Sequence, residues 1–183
     1  MGTLIVIYKK MKLNDVYLIE LDKRMDDRGW FSRIYCEKEQ EENIFPESIK
    51  QINSSFSQQK GTLRGLHFQN KPFQESKIIK VLTGKIYDLI LDLRPESSTY
   101  LQWEAFELSS ETKEMLYVPK GFAHSILTLE DDTEILYFVS EFYQQNSESG
   151  IRWNDPYFNF TWPLKPSVVS DKDQNWPLFK NSV

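Results

Sequence analysis

The chain has 183 residues, 40% of them apolar and 14% aromatic, which is enough to bury one substantial core and short for two domains. Its 22 basic and 27 acidic residues leave a net charge of −5, which excludes general binding to nucleic acid but leaves room for a few convergent cations to hold one anionic ligand. Cys36 is the only cysteine, no apolar run approaches the roughly 20 residues that cross a bilayer, and "MGTLIVIYKK" lacks the length and cleavage site of a signal peptide, so the expectation is one cytoplasmic domain spanning 1–183.

In chain order, residues 1–10 read as an extra N-terminal strand or an extension, and "VYLIEL" as the first clear strand. "CEKEQEENIF", 36–45, is the one helical stretch, charged on most faces with Ile44 and Phe45 at its end. Then follow "QINSSFS", "TLRGLHFQ", "KIIKVL", "KIYDLILDL", "WEAFEL", "MLYVP", "HSILTL" and "TEILYFVSEFY", all rich in Ile, Val, Leu, Tyr and Phe and separated by turn residues. That spacing predicts an all-β sandwich or barrel. "LTGK" at 82–85 reads as a tight hairpin in which Gly84 supplies a positive φ. Beyond Asn154, Pro156, Pro163, Pro166 and Pro177 predict a loop-rich tail laid over the sandwich.

Several strands carry polar residues that a β-core does not need. Arg64 and His67 interrupt "TLRGLHF", Gln51 and Asn53 alternate in "KQIN", Lys77 precedes "IIKVL", His124 opens "SILTL", and Tyr137 and Tyr143 flank "FVSEF". Side chains two apart on a strand share a face, so Gln51 and Asn53 point the same way and can line one cavity. A buried polar group without a partner costs about 1–3 kcal/mol, which argues that these residues converge on a purpose. A metal is not expected, because "LHFQ" and "PKGFAH" supply two imidazoles in all and no carboxylate stands at matching spacing. A histidine without a metal is available as a base near neutral pH.

"GTLRGLHFQ", "KIIKVLTGKIYDLILDLR", "ELSSETKEMLYVPKGFAHSILTL", "YFVSEFY", "SGIRWNDPYFNFTWPL" and "VSDKDQNWPL" resemble, in order, the blocks of the dTDP-4-dehydrorhamnose 3,5-epimerases, the RmlC-like cupins, from about Asp26 to Leu178. The resemblance implies a jelly-roll β-sandwich, a homodimer that works without metal or cofactor, and a nucleotide-linked 4-keto-6-deoxy sugar as substrate, in dTDP-L-rhamnose or related deoxysugar biosynthesis. It implies that His67 is the base, Asp173 its carboxylate partner, Lys77 the cation at the developing enolate and Tyr137 the proton donor on the opposite face. It further implies that Arg64 and Arg28 lie near the diphosphate, Arg28 reaching in from the partner subunit. Gln51, Asn53, His124, Glu148 and Lys172 are implied as other substrate contacts, and Tyr143 as the aromatic that stacks on the base.

The sequence also departs from the family pattern. "DDRGWFSR" places Arg33 where a glutamate contacting the ligand is expected, "GFAHSI" replaces "GFAHGF", and no proline follows "FY" in "FYQQN". Two alternatives therefore stand beside the 3,5-epimerase: an epimerase acting at C3 or C5 alone, and a sugar-nucleotide-binding cupin without catalysis. The presence of His67, Lys77, Tyr137 and Asp173 together disfavours the last.

Overall fold

The computed structural model describes residues 6–37 and 47–180. Its strands, in chain order, are β1 (Val6–Lys10), β2 (Tyr17–Leu21), β3 (Arg24–Asp26), β4 (Gly29–Phe31), β5 (Gln51–Ser57), β6 (Thr62–Gln69), β7 (Lys77–Thr83), β8 (Lys85–Asp92), β9 (Trp103–Ser109), β10 (Met115–Val118), β11 (Phe122–Thr128), β12 (Thr133–Val139), β13 (Glu148–Gly150) and β14 (Val168–Val169). A short helix, α1 (Asp171–Gln174), follows β14. One six-stranded sheet runs β1-β2-β10-β7-β12-β5, and a second runs β13-β6-β11-β8-β9, with β14 joined to β6 in parallel. β3 and β4 form a separate two-stranded ribbon. The all-β expectation holds, and residues 6–10 are the edge strand of the first sheet. Of the helix expected over 36–45, residues 38–45 lie outside the described residues.

Period-two alternation builds the core. Ile79 and Val81 of β7 face Ile86 and Ile90 of β8, with Phe106, Leu108, Leu116, Val118, Phe122, Ile126 and Ile135 closing the layer between the sheets. The opposite face of β8, through Leu89 and Leu91, belongs to another apolar cluster, packed against Trp103, Phe158, Phe160 and Trp162. The proline-rich tail thus covers the second sheet, as its sequence predicts, and β8 is apolar on both faces because both are buried. No helix among the described residues is long and apolar enough to cross a membrane.

The hairpin expected at "LTGK" is not one. β7 belongs to the first sheet and β8 to the second, and the two do not pair, so Gly84 is a corner at which the chain passes between layers. Strand propensity and a positive-φ residue look the same whether the next strand pairs or crosses. Gly84 does take φ +77°, and a Cβ there would stand 3.1 Å from the Cα of Thr133 and closer still to its hydroxyl. Gly84→Ala should therefore lower stability by about 1–3 kcal/mol. A shifted urea midpoint at unchanged slope would report it, and an unshifted midpoint would remove the corner as a constraint.

Candidate active site

At one end of the sandwich the two sheets part around a two-lobed cavity. The larger lobe, about 460 Å³, takes Arg64 and His67 from β6, His124 and Ile126 from β11, Lys77 from β7, Tyr137 from β12, and Val168 through Ser170, Lys172 and Asp173 from the tail. The smaller, about 400 Å³, takes Gln51 and Asn53 from β5 together with Gln69, Glu75, Tyr143 and Glu148. His67, Lys77 and Tyr137 line both lobes, so they stand at the junction. His67 belongs to the second sheet, Lys77 and Tyr137 to the first.

His67 directs Nε2 to Asp173 Oδ1 at 2.5 Å. The carboxylate is 3% exposed. It also accepts from the Gly65 backbone N–H at 3.2 Å and from Trp176 Nε1 at 3.2 Å. Burial by itself would push this carboxyl up, but the hydrogen bond and charge of His67, with the Gly65 and Ser170 contacts, hold it below the ordinary carboxylate value. The local sequence explains the placement. Ser170 caps α1, accepting from the Asp173 N–H at 3.1 Å, which fixes Asp173 at the third helical position. Gly65 takes φ +110° with the His124 carbonyl 2.5 Å from where a Cβ would stand, so no larger residue lets β6 approach β11 there.

The other site groups come in pairs. His124, registered directly opposite His67 across β6 and β11, turns Nε2 to Asp88 Oδ2 at 3.0 Å. Lys77 Nζ lies 3.0 Å from Glu75 Oε1, and Glu75 Oε2 in turn accepts from Gln69 at 3.4 Å. Lys172 Nζ lies 2.6 Å from Glu148 Oε2, which also accepts the Tyr143 hydroxyl at 2.7 Å. Burial raises the Glu148 carboxyl, and the Lys172 and Tyr143 hydrogen bonds with the Lys172 and His67 charges bring it below its ordinary value. The same bond to Glu148 raises the Tyr143 phenol. Gln51 Oε1 accepts from the Tyr143 N–H at 2.8 Å, and Arg64 donates to Ser57 Oγ at 3.3 Å and to the Phe56 carbonyl at 3.2 Å.

Eleven of the residues expected at a site therefore line one cavity: His67, Lys77, Tyr137, Asp173, Arg64, His124, Lys172, Gln51, Asn53, Tyr143 and Glu148. Arg28 does not. It sits at the turn of the β3–β4 ribbon, its side chain 90% exposed and bonded to Asp26. Sequence reasoning passed over Asp88, Glu75, Gln69 and Trp176. Asp88 had a signal, since it falls on the inward parity of β8 beside Ile86 and Ile90. Glu75, in the irregular segment before β7, had none. Among the described residues no three His, Cys, Asp or Glu side chains converge as a metal-holding group.

Comparison with known proteins identifies the family. Residues 10–181 match the family model described as dTDP-4-dehydrorhamnose 3,5-epimerase. A dTDP-4-dehydrorhamnose 3,5-epimerase of Sinorhizobium fredii is 39% identical over 171 residues, covering 93% of this chain and 88% of that protein. The crystal structure of the Bacillus anthracis enzyme of the same name, with TDP and PPi bound, is 40% identical with a TM-score of 0.92, covering 96% of this chain and 100% of that one. The Legionella pneumophila enzyme, solved in complex with dTDP-4-keto-L-rhamnose, is 33% identical with a TM-score of 0.87, covering 95% and 93%.

The lowered Asp173 value carries a stability consequence. A carboxyl whose folded value lies below its unfolded one stabilises the fold above the unfolded value, near 3.8, and that contribution is lost as pH falls through the folded value. Asp173→Asn should thus lower stability near neutrality by about 1–3 kcal/mol and flatten the acid loss below about pH 4. Urea midpoints of the two proteins at several pH values check this, and parallel curves would remove the Asp173 contribution.

Proposed function

The chain belongs to the dTDP-4-dehydrorhamnose 3,5-epimerase family, and from that premise we propose that its cavity holds the 4-keto sugar between His67 as base and Tyr137 as acid. It is an isomerase of the 3,5-epimerase type. The observation that carries the residue assignment is the placement of His67 and Tyr137 on opposite sheets, both lining both lobes. Inversion at carbon needs a proton removed from one face and another delivered to the other, and two proton-handling groups on facing walls meet that need.

The 4-keto group acidifies the hydrogens at C3 and C5. Nε2 of His67 is committed to Asp173, so Nδ1 is the nitrogen that takes the proton, while Asp173 orients the ring and offsets the imidazolium charge. The electron pair left at carbon moves onto the ketone oxygen, where the Lys77 ammonium stabilises the enolate. Tyr137 then gives its phenolic proton to the opposite face. Each inversion leaves one extra proton on His67 and a phenolate at Tyr137, and exchange with solvent restores both before the second carbon reacts. Arg64 takes the diphosphate, with Gln51, Asn53, His124, Glu148, Lys172 and Tyr143 contacting the rest of the nucleotide and sugar.

We also assign a homodimer of single-domain chains and a reducing, cytoplasmic setting. The outward residues Ile52 and Phe56 of β5 and Met25, Trp30 and Phe31 of the ribbon are exposed and apolar, which suits a second copy. Lys80, buried on the outer side of β7, has no hydrogen-bond partner for its ammonium among the described residues. In such a dimer the ribbon carries Arg28 to the partner's cavity.

The test is incubation with dTDP-4-keto-6-deoxyglucose in deuterated water, following C3–H and C5–H by NMR. Exchange at both carbons is expected, whereas exchange at one identifies the narrower epimerase and exchange at neither overturns the assignment. His67→Ala should slow exchange at both by about 10²–10⁴-fold while the fold persists. Tyr137→Phe should keep exchange at the carbon served by His67, because the base can return a solvent deuteron with retention, yet yield far less inverted product. If exchange and inversion fall together, or neither changes, Tyr137 is not the opposite-face acid.

A further inference from the structure

Asp88 lies in the middle of the apolar run of β8 and is fully buried. It is registered with Ile126, two residues along β11 from His124, so Asp88 and His124 meet diagonally on one face of the second sheet. Oδ2 accepts the hydrogen bond from His124 Nε2 at 3.0 Å. Oδ1 is 2.9 Å from the same nitrogen but off the N–H direction, and has no hydrogen-bond partner of its own among the described residues. A carboxyl taken wholly out of water for one partner is expensive, and packing alone would be served better by an apolar side chain. The cost falls beside the cavity, since the His124 ring lines the larger lobe.

We propose that Asp88 is a positioning residue for the site. It locks His124 with the proton on Nε2, so that Nδ1 is always the ring nitrogen presented to an oxygen of the sugar nucleotide. An imidazole free of such a partner shares its proton between the two nitrogens, and part of the population would then offer the wrong one. The inference rests on reading the cavity as the sugar-nucleotide site, but the lock itself exists without substrate.

The chain has two histidines, so a two-bond ¹H–¹⁵N spectrum of the labelled protein contains two imidazoles, and a His67→Asn variant assigns them. His124 should show a protonated Nε2 across about pH 6–8, in the absence of ligand. Asp88→Ala should give nitrogen shifts averaged between tautomers, while Asp88→Asn, whose amide oxygen can turn to the same N–H, should keep the locked pattern. In turnover, Asp88→Ala should lower kcat/KM about tenfold or more, and adding it to His124→Ala should cost nothing further, whereas a merely structural loss would add. A wild-type spectrum with averaged shifts or with the proton on Nδ1 overturns the proposal, and needs no variant to fold. So does a folded Asp88→Ala protein with unchanged His124 signals. Because the tautomer is read without substrate, a protein inactive on the 4-keto sugar would sink the epimerase assignment and leave the lock standing, and averaged shifts in an active enzyme would do the reverse.

Discussion

A carboxylate withdrawn from water beside a sheet persists only if several donors meet it, and Asp173 is met by three: the His67 ring, the Gly65 amide and the Trp176 indole. Each of those donors fixes part of the architecture. The Gly65 amide requires β6 to pass close to the β11 carbonyl at His124. The Trp176 ring requires Gly150, since a Cβ there would enter the indole. Arg152 then anchors the Trp176 carbonyl through Nε at 3.0 Å. The tail reaches this position by running beside β6 as the parallel strand β14. Residues more than 100 positions apart thus meet at one oxygen pair, and closing the cavity wall is the same event as docking the tail.

The first sheet meets a complementary constraint. On β5 the inward positions are Gln51, Asn53, Ser55 and Ser57, and the outward ones include Ile52 and Phe56, the reverse of a strand that packs on a dry core. The neighbouring β12 mixes the two, with Ile135 and Val139 buried on either side of the inward Tyr137. Polarity on the inner face therefore increases toward the β5 edge, where the cavity opens between the sheets. The same alternation leaves Ile52 and Phe56 outside, exposed among the described residues.

These patterns explain what was legible in the sequence. "QINSSFS" and "KIIKVL" give themselves away by alternation or by β-branched runs, and Gln51, Asn53 and His67 stand out because each breaks the apolar parity of a strand. The layer change at Gly84 does not show, because a corner and a hairpin ask the same φ of one residue. The β3–β4 ribbon is three residues on each side, too short for a period to register. Asp88 was visible as an inward acid, but its partner lies 36 residues on, and only the register of β8 with β11 brings them together. Glu75 reaches Lys77 from the irregular segment before β7, where no periodic rule states which way a side chain points.

The register also decides which charge the cavity can spend on an anion. Lys77 is matched by Glu75, Lys172 by Glu148, His67 by Asp173 and His124 by Asp88. Arg64 differs: its partners are a serine hydroxyl and a backbone carbonyl, both neutral. Among the described cationic side chains of the lining it is therefore the one whose charge is not already met by a carboxylate. Its guanidinium keeps donors available, and a planar fork suits phosphate oxygens better than an ammonium does. A chain with net charge −5 can hold a diphosphate on this basis, because the local balance at one side chain, and not the total, sets what an anion meets on entering. The matched pairs do the opposite work. Each holds a proton-handling or hydrogen-bonding group in one orientation and leaves it little net charge to offer an anion, which supports the proposal that the diphosphate goes to Arg64 and the sugar ring lies between His67 and Tyr137.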